Sequence, residues 1–480
     1  MLDIKKDIEN ISNNCKGENI MINFKNKRNP VLPLEYHIPD SEAHMMPDGR
    51  LYIYGSYDDR ADVFCSEKYH VVSTADMENW TLHDVSLTGG QIPWFNNPDA
   101  PKYPGIDWSH PTPFIIKMME RDAAEGVDIK EQFEKKEEQE KPPLLFAPDC
   151  IEKDGKYYLY FCMPDDSEGV AVSDNPEGPF TNPVQLPCGG IDPAIFIDDD
   201  GQAYYYWGQL FSHCVKLNKD MVSFDETAII DNLVTESEHF FHEGSSIRKI
   251  NGMYYYVYAD MERGKPTSLG YSVSKSPEGP FTYKGIIIDN DGCDPASWNN
   301  HGSIECVNGQ WYVFYHRCSR GVQQYRRLCI EPITINPDGS INEVKMTSQG
   351  IGQPFAPNEK IMGYQACGMK GGCYIGVDNV YKEKLMNISV GDEAVFRYIK
   401  SGQEWSSISI TYAGSGKIRV IFIDSKNASH QIEAGTVFVP DANAKIQTIS
   451  SAIYAPVGEY ELVLIFEESD ELEVFEISLQ

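Results

Sequence analysis

Five side chains able to do acid–base or ligand chemistry recur at one position of a repeated pattern. They are Asp40 in Pro39-Asp40-Ser41-Glu42-Ala43-His44, Asp149 in Ala147-Pro148-Asp149-Cys150, Asp192 in Ile191-Asp192-Pro193-Ala194, Glu243 in His242-Glu243-Gly244-Ser245, and His301 in Asn300-His301-Gly302-Ser303. Each lies six to nine residues before the glycine of an Asp-Gly or Asn-Gly pair, at Gly49, Gly155, Gly201, Gly252 and Gly309. An ionised carboxylate at the end of an apolar strand is costly to bury, so acids at equivalent places call for a use. Carboxylates that neighbour one another in a partly dry site separate into one that stays ionised and one that keeps its proton. Cleaving a glycosidic bond with inversion needs that separation: a base to activate water and a protonated acid for the leaving oxygen, roughly 6.5–9.5 Å apart.

The elements that must hold these residues follow from what comes after each turn. Leu51–Tyr54, Tyr157–Tyr160, Tyr204–Trp207, Tyr254–Tyr258 and Trp311–Tyr315 are short aromatic strands, each behind a hairpin signal. A later segment repeats as well, Ser173–Phe180 matching Ser274–Phe281, with Ala75–Trp80 in the corresponding place of the first unit. Five units spaced by roughly fifty residues, apart from one insertion near 90–141, predict a five-bladed β-propeller over residues 1–352. The first strand of each blade is innermost in that architecture, so the five side chains should converge on a central channel. Within the insertion, the charged stretch 118–141 predicts a solvated helix. Gln353–Asn358 reads as a linker, and alternating strands at 394–398, 407–412, 418–423, 461–466 and 472–477 predict a jelly-roll-like β-sandwich over 353–480.

Composition narrows the partners. The chain has 480 residues, 12% aromatic, with a formal charge of -31. That charge argues against binding nucleic acid or an anionic membrane surface, both of which need a positive footprint, and favours a neutral substrate. No apolar run is long enough to span a bilayer, and Met1–Ile11 lacks the apolar stretch of a signal peptide. The 12 cysteines form no Cys-x-x-Cys pairs; free, buried thiols in a cytoplasmic protein are expected. Gly-x-Ser-x-Gly, Walker and His-Glu-x-x-His patterns are absent.

The three acids Asp40, Asp192 and Glu243, in this order and each at the same place in a repeat, resemble the signature of glycoside hydrolase family 43. The resemblance covers about the first 350 residues. It implies a general base at Asp40, an acid at Glu243, and at Asp192 a residue that tunes and orients the acid, with no cofactor needed for the chemistry. Asp40 is followed by Ser41 where many family members have Pro, while Pro39, Glu42, His44 and Gly49 keep the register. The resemblance also implies that His301 faces a hydrated divalent cation, commonly calcium, through water, and that Arg326 contacts substrate. Pairing of Arg326 with a carboxylate is the other reading, as is pairing of the acids with Arg248, Arg326 or Arg327 for structural reasons alone. His44, in the base motif, is a candidate to bind substrate, and Asp149 either supports substrate binding or bonds to nearby backbone. Trp94 and Trp207, with Trp108 and Trp298 behind them, are candidates to stack on a sugar ring or to pack in the core. The tail is similar to carbohydrate-binding modules of family 6, which implies sugar binding or packing on the propeller, and a possible structural calcium. The expected activity is exo-acting release of a terminal pentose, foremost α-L-arabinofuranose, from small hemicellulose oligosaccharides. A β-D-xylosidase or bifunctional enzyme is the alternative, and a non-catalytic sugar-binding propeller the alternative of another class.

Overall fold

The computed structural model describes residues 21–103, 142–377, 383–442 and 445–480, with positions 116, 119, 120 and 123. Residues 1–20, Trp108 and nearly all of the charged stretch 118–141 lie outside the described residues. Five antiparallel sheets follow one another along the chain. The first blade runs Glu42–Met45, Leu51–Tyr54, Lys68–Thr74 and Asn79–Thr88, with Ile22–Lys25 added outside its last strand. The second spans Asp149–Gly189 in four strands, the third Ala194–Lys216 in three, the fourth Phe241–Asp289 in four and the fifth Ser303–Ile333 in three. The arrangement is the expected five-bladed propeller.

The turn chemistry explains the registers. Asp154-Gly155, Asn251-Gly252 and Asn308-Gly309 place both residues at positive φ, as a two-residue hairpin with the sheet's own twist requires. The flanking partners are accordingly Lys153↔Lys156, Ile250↔Met253 and Val307↔Gln310. At Gly49 and Gly201 only the glycine has positive φ, and the loops are longer, with Met45↔Leu51 and Ile197↔Ala203 as the last pairs.

Aromatic second strands join neighbouring blades. The Tyr54 hydroxyl donates to the Pro176 carbonyl at 2.7 Å, Tyr160 to Met221 at 2.7 Å and Tyr206 to Pro277 at 3.0 Å. Phe180 and Phe281, from the repeated Pro-Glu-Gly-Pro-Phe segment, are buried in the clusters between blades, where each ring contributes about 1.5–3 kcal/mol. The ring closes on the inside where Ser41 bridges Gly302 and the Ser303 hydroxyl donates to the Ser41 carbonyl at 2.9 Å. On the outside it closes through buried Asn29, whose side-chain amide donates to Ile330, Glu331 and Thr347 and accepts from the Ile330 N–H.

After the fifth blade, one nine-stranded sheet folds on itself into a nearly closed β-sandwich. Its frame is two long strands, Trp405–Asp424 and Gly458–Leu479, paired from Ile408↔Leu479 to Asp424↔Tyr460. They enclose a separate apolar core that includes Trp405, Phe422 and Phe466. The sandwich docks on the propeller through buried Glu383, which pairs with Arg320 and Arg327, and through Glu461, which pairs with the half-exposed Lys345 as well as with Arg397 of its own domain. The eleven cysteines among the described residues are all free, and only Cys306 is more than marginally exposed.

Candidate active site

Of the five repeat-equivalent residues, Asp149 opens its inner strand, Asp40, Asp192 and His301 lie two residues before theirs, and Glu243 is the third residue of its strand. Asp40 and Asp192 take the same unusual backbone conformation, φ +55° and +56°. Aspartate tolerates this left-handed region at modest cost, and there it turns both carboxyls out of the ladder. Asp40 Oδ1 accepts from Arg326 Nη1 at 2.7 Å and lies 3.5 Å from His316 Nδ1 and 3.9 Å from His301 Nδ1. His301 Nδ1 in turn lies 3.6 Å from Asp192 Oδ2. Side chains from the first, third and fifth blades thus meet around one imidazole.

Glu243 comes from the fourth blade, between two irregularities in its pairing with the next strand. Its Oε2 accepts from Gln209 Nε2 at 2.7 Å. The adjoining Gly244, at φ +79°, lies so close under the His301 ring that a Cβ there would sit 2.9 Å from Cδ2. Glu243 keeps 14% of its side chain exposed against 5% for Asp40 and 7% for Asp192, so Glu243 is the acid most open to an incoming leaving group.

The surroundings push the carboxyls in opposite directions. Burial raises Asp40, but the Arg326 guanidinium, ahead of the two imidazoles, brings it below the ordinary 3.8. Asp192 goes well above it, through burial first and then the charges of Glu243 and Asp40. Its surroundings therefore oppose its ionisation. His301 is lowered by burial against the pull of Asp40 and Glu243, and His316 is pushed down to about 3, mainly by burial. Both imidazoles are neutral hydrogen-bonding groups at neutral pH.

The remaining candidates separate. Arg326 is fully engaged with carboxylates: Nε and Nη2 fork onto Asp58 at 2.9 Å each, and Nη1 holds Asp40. Asp149 bonds to backbone, accepting from the Cys150 and Ile195 N–H groups, and also accepts from His44 Nε2 at 2.7 Å. It thereby ties the second blade to the third and fixes His44. Trp94 and Trp207 belong to the packing between blades. Trp94 stacks on Phe161 and donates to Ser167, while Trp207 stacks on Tyr205, His213 and Phe224 and donates to Gly189. Among the described residues, Trp298 is the most exposed tryptophan, at 47%.

For a cation, His301 is a poor anchor. It offers one nitrogen where calcium takes six to eight oxygens, and of the two carboxylates beside it, Asp192 at 3.6 Å and Asp40 at 3.9 Å, Asp40 is held by Arg326. The acidic cluster that the fold does gather is Glu42, His44 and Asp149, and there Glu42 Oε1 is bound by Arg248 and Ser246. In the C-terminal sandwich no such cluster occurs among the described residues.

The sequence pattern misses Asp58, His316 and Gln209. None sits at an inner-strand start: Asp58 is in the loop after the first blade's second strand, His316 lies in the later half of the fifth blade's second strand, and Gln209 follows the third blade's. The signal that could find them is the end of the aromatic strand, which reaches the same face of the propeller as the inner-strand starts.

Residues 122–341 match the family model Glycosyl hydrolases family 43. The chain is 31% identical over 365 residues to Xylosidase/arabinosidase 43A of Humicola insolens, an alignment spanning 63% of this chain and 95% of that protein. Over 91% of its length it is 26% identical to an arabinoxylan arabinofuranohydrolase of Bacillus subtilis (strain 168), of which 89% is covered. A solved GH43 β-xylosidase/α-arabinofuranosidase from a compost microbial metagenome, with xylotriose and in a calcium-free form, matches with a TM-score of 0.51 at 27% identity, covering 68% of this chain and 99% of that one.

Proposed function

Since the chain belongs to glycosyl hydrolases family 43, and is therefore a glycoside hydrolase, we propose that it is an inverting, exo-acting enzyme. It releases a terminal pentose, foremost α-L-arabinofuranose, from arabinoxylan or arabinan oligosaccharides. The observation that carries this reading is the meeting of Asp40, Asp192 and His301 from three blades, with Glu243 set against the same imidazole through Gly244.

In this reading Asp40, kept ionised by Arg326, takes a proton from the attacking water as general base. Glu243, oriented by Gln209 and the most exposed of the three, delivers a proton to the leaving oxygen. Asp192, raised by burial and by the neighbouring carboxylates and set beside His301, is the residue that tunes and orients this acid. His301 and His316 hold the base from the other side. A divalent cation would reach His301 only through water, and no step of this chemistry runs through one. The substrate class rests on relatives named xylosidase/arabinosidase and arabinoxylan arabinofuranohydrolase. A β-D-xylosidase or bifunctional enzyme is the second reading, favoured by the xylotriose-bound neighbour. The free thiols accord with a cytoplasmic enzyme that meets short oligosaccharides rather than polymer.

The test is hydrolysis of nitrophenyl α-L-arabinofuranoside and nitrophenyl β-D-xyloside by the folded protein. Release from the first, with or without the second, is the expected result, and no release from either would end the proposal. The exo mode is tested on linear and branched oligosaccharides, where mid-chain cleavage products would contradict it.

A further inference from the structure

At the junction of the two domains lies a cavity of about 270 Å³, lined by Leu34, Glu35, His37, Asp58, Asp59, Arg320, Tyr325, Val377 and Glu383. Glu383 and Val377 come from the sandwich; the others come from the first and fifth blades. Three of the lining side chains carry a buried polar atom with no hydrogen-bond partner among the described residues: His37 Nε2, Glu383 Oε2 and Arg320 Nε. His37 is 2% and Glu383 5% exposed. Unsatisfied buried polar atoms are costly, so three around one cavity point to a ligand that completes them. They are a mixed set, with a guanidinium donor, a carboxylate acceptor and an imidazole able to be either.

Charge decides the class. A cation would face Arg320, with Arg327 also bound to Glu383. An anion would face Glu35, Asp58, Asp59 and Glu383. A neutral polyol, whose hydroxyls donate and accept, meets neither repulsion. Tyr325 supplies an aromatic wall, held by His37 at 4.9 Å between ring centroids and by Arg320 at 4.3 Å over its ring.

We propose that this junction cavity is a second saccharide site, taking one neutral sugar ring outside the ring of catalytic acids. It is connected to that ring through Asp58, which lines the cavity and forks Arg326 on Asp40. The occupant is either a free monosaccharide product or a further residue of the oligosaccharide.

The test uses the full chain and a Val377→Trp variant, which fills the cavity from its half-buried rim without touching the acids. D-Xylose and L-arabinose are titrated calorimetrically, and crystals are soaked in the same sugars. Two binding events are expected in the parent, with one of them weakened at least tenfold in the variant and sugar density at Tyr325 lost. Glu383→Gln, which keeps the shape, is the second variant and should weaken the same event. If the variant raises KM for oligosaccharides but not for nitrophenyl pentosides, the occupant is part of the substrate. If it relieves inhibition by free pentose alone, the occupant is product. A single binding event in the parent, with only water in the cavity of soaked crystals, overturns the proposal. So does a Val377→Trp variant that binds both sugars as the parent does.

Discussion

Replacing Arg326 with Met tests how the site keeps its base charged. The guanidinium is 2% exposed and makes one bond to Asp40 and two to Asp58. Removing one partner of a buried ionic cluster typically costs about 3–5 kcal/mol, which a domain of ordinary stability survives at low temperature. For Asp40, burial pushes up and Arg326 brings the carboxyl below 3.8; without the cation, burial dominates. Loss of an adjacent opposite charge shifts a carboxyl by roughly 1–3 units, or about 1.4–4 kcal/mol at 1.36 kcal/mol per unit. The acid limb of kcat/KM on a nitrophenyl pentoside should therefore move up by that amount. The loss should be on the order of tenfold or more at pH 5 and smaller at pH 8. The sign for stability is the reverse of the parent's. In the parent the depressed carboxyl stabilises the fold above its unfolded value and loses this as pH falls. In the variant the raised carboxyl destabilises at neutral pH and recovers in acid, so the gap in Tm should narrow towards pH 4. Arg326→Lys, which keeps charge but not the fork, should shift the limb less. An acid limb that stays in place in Arg326→Met would refute the argument.

Three other outcomes follow from the same geometry. Asp40→Asn and Glu243→Gln should fold like the parent by circular dichroism yet lose about 10²–10⁴-fold in activity. Glu243→Gln should lose least on substrates whose leaving group needs no protonation, and near-normal turnover of either variant on natural oligosaccharides would reject the roles. Gly244→Ala places a Cβ 2.9 Å from the His301 ring at φ +79°; it should cost roughly 1–2 kcal/mol in denaturant unfolding and lower kcat. Glu168, fully buried under Tyr205, is pushed up to about 8, mainly by burial. A raised carboxyl costs stability as pH rises from its ordinary value through the raised one, so Glu168→Gln should gain on the parent between pH 5 and 8 and match it near pH 4. A constant difference across that range would contradict the assignment.

What the sequence disclosed follows from where physical constraint is local. A two-residue turn needs Asn-Gly or Asp-Gly, and an aromatic strand between blades needs its period, so both the five units and the inner-strand acids were legible. The partners of those acids were not. Asp58 lies in an irregular loop and meets Arg326 only through the closure of a ring 268 residues long. Arg326 was recognisable as a site residue, but its choice of carboxylate over sugar depends on that same closure. Trp207 ends one of the aromatic strands that define the repeat, and its place in the packing follows from that register rather than from proximity to the site. The left-handed backbone at Asp40 and Asp192 leaves no sequence trace, because aspartate is also common in ordinary turns.

The account stands most directly on the stereochemistry of the first product. Proton NMR of an α-L-arabinofuranoside digest, followed from the first seconds, should show the β-anomer appearing before mutarotation, as attack by a water activated at Asp40 requires. The α-anomer appearing first would mean a covalent intermediate on one of the carboxylates, and Asp40 could not be the base described here.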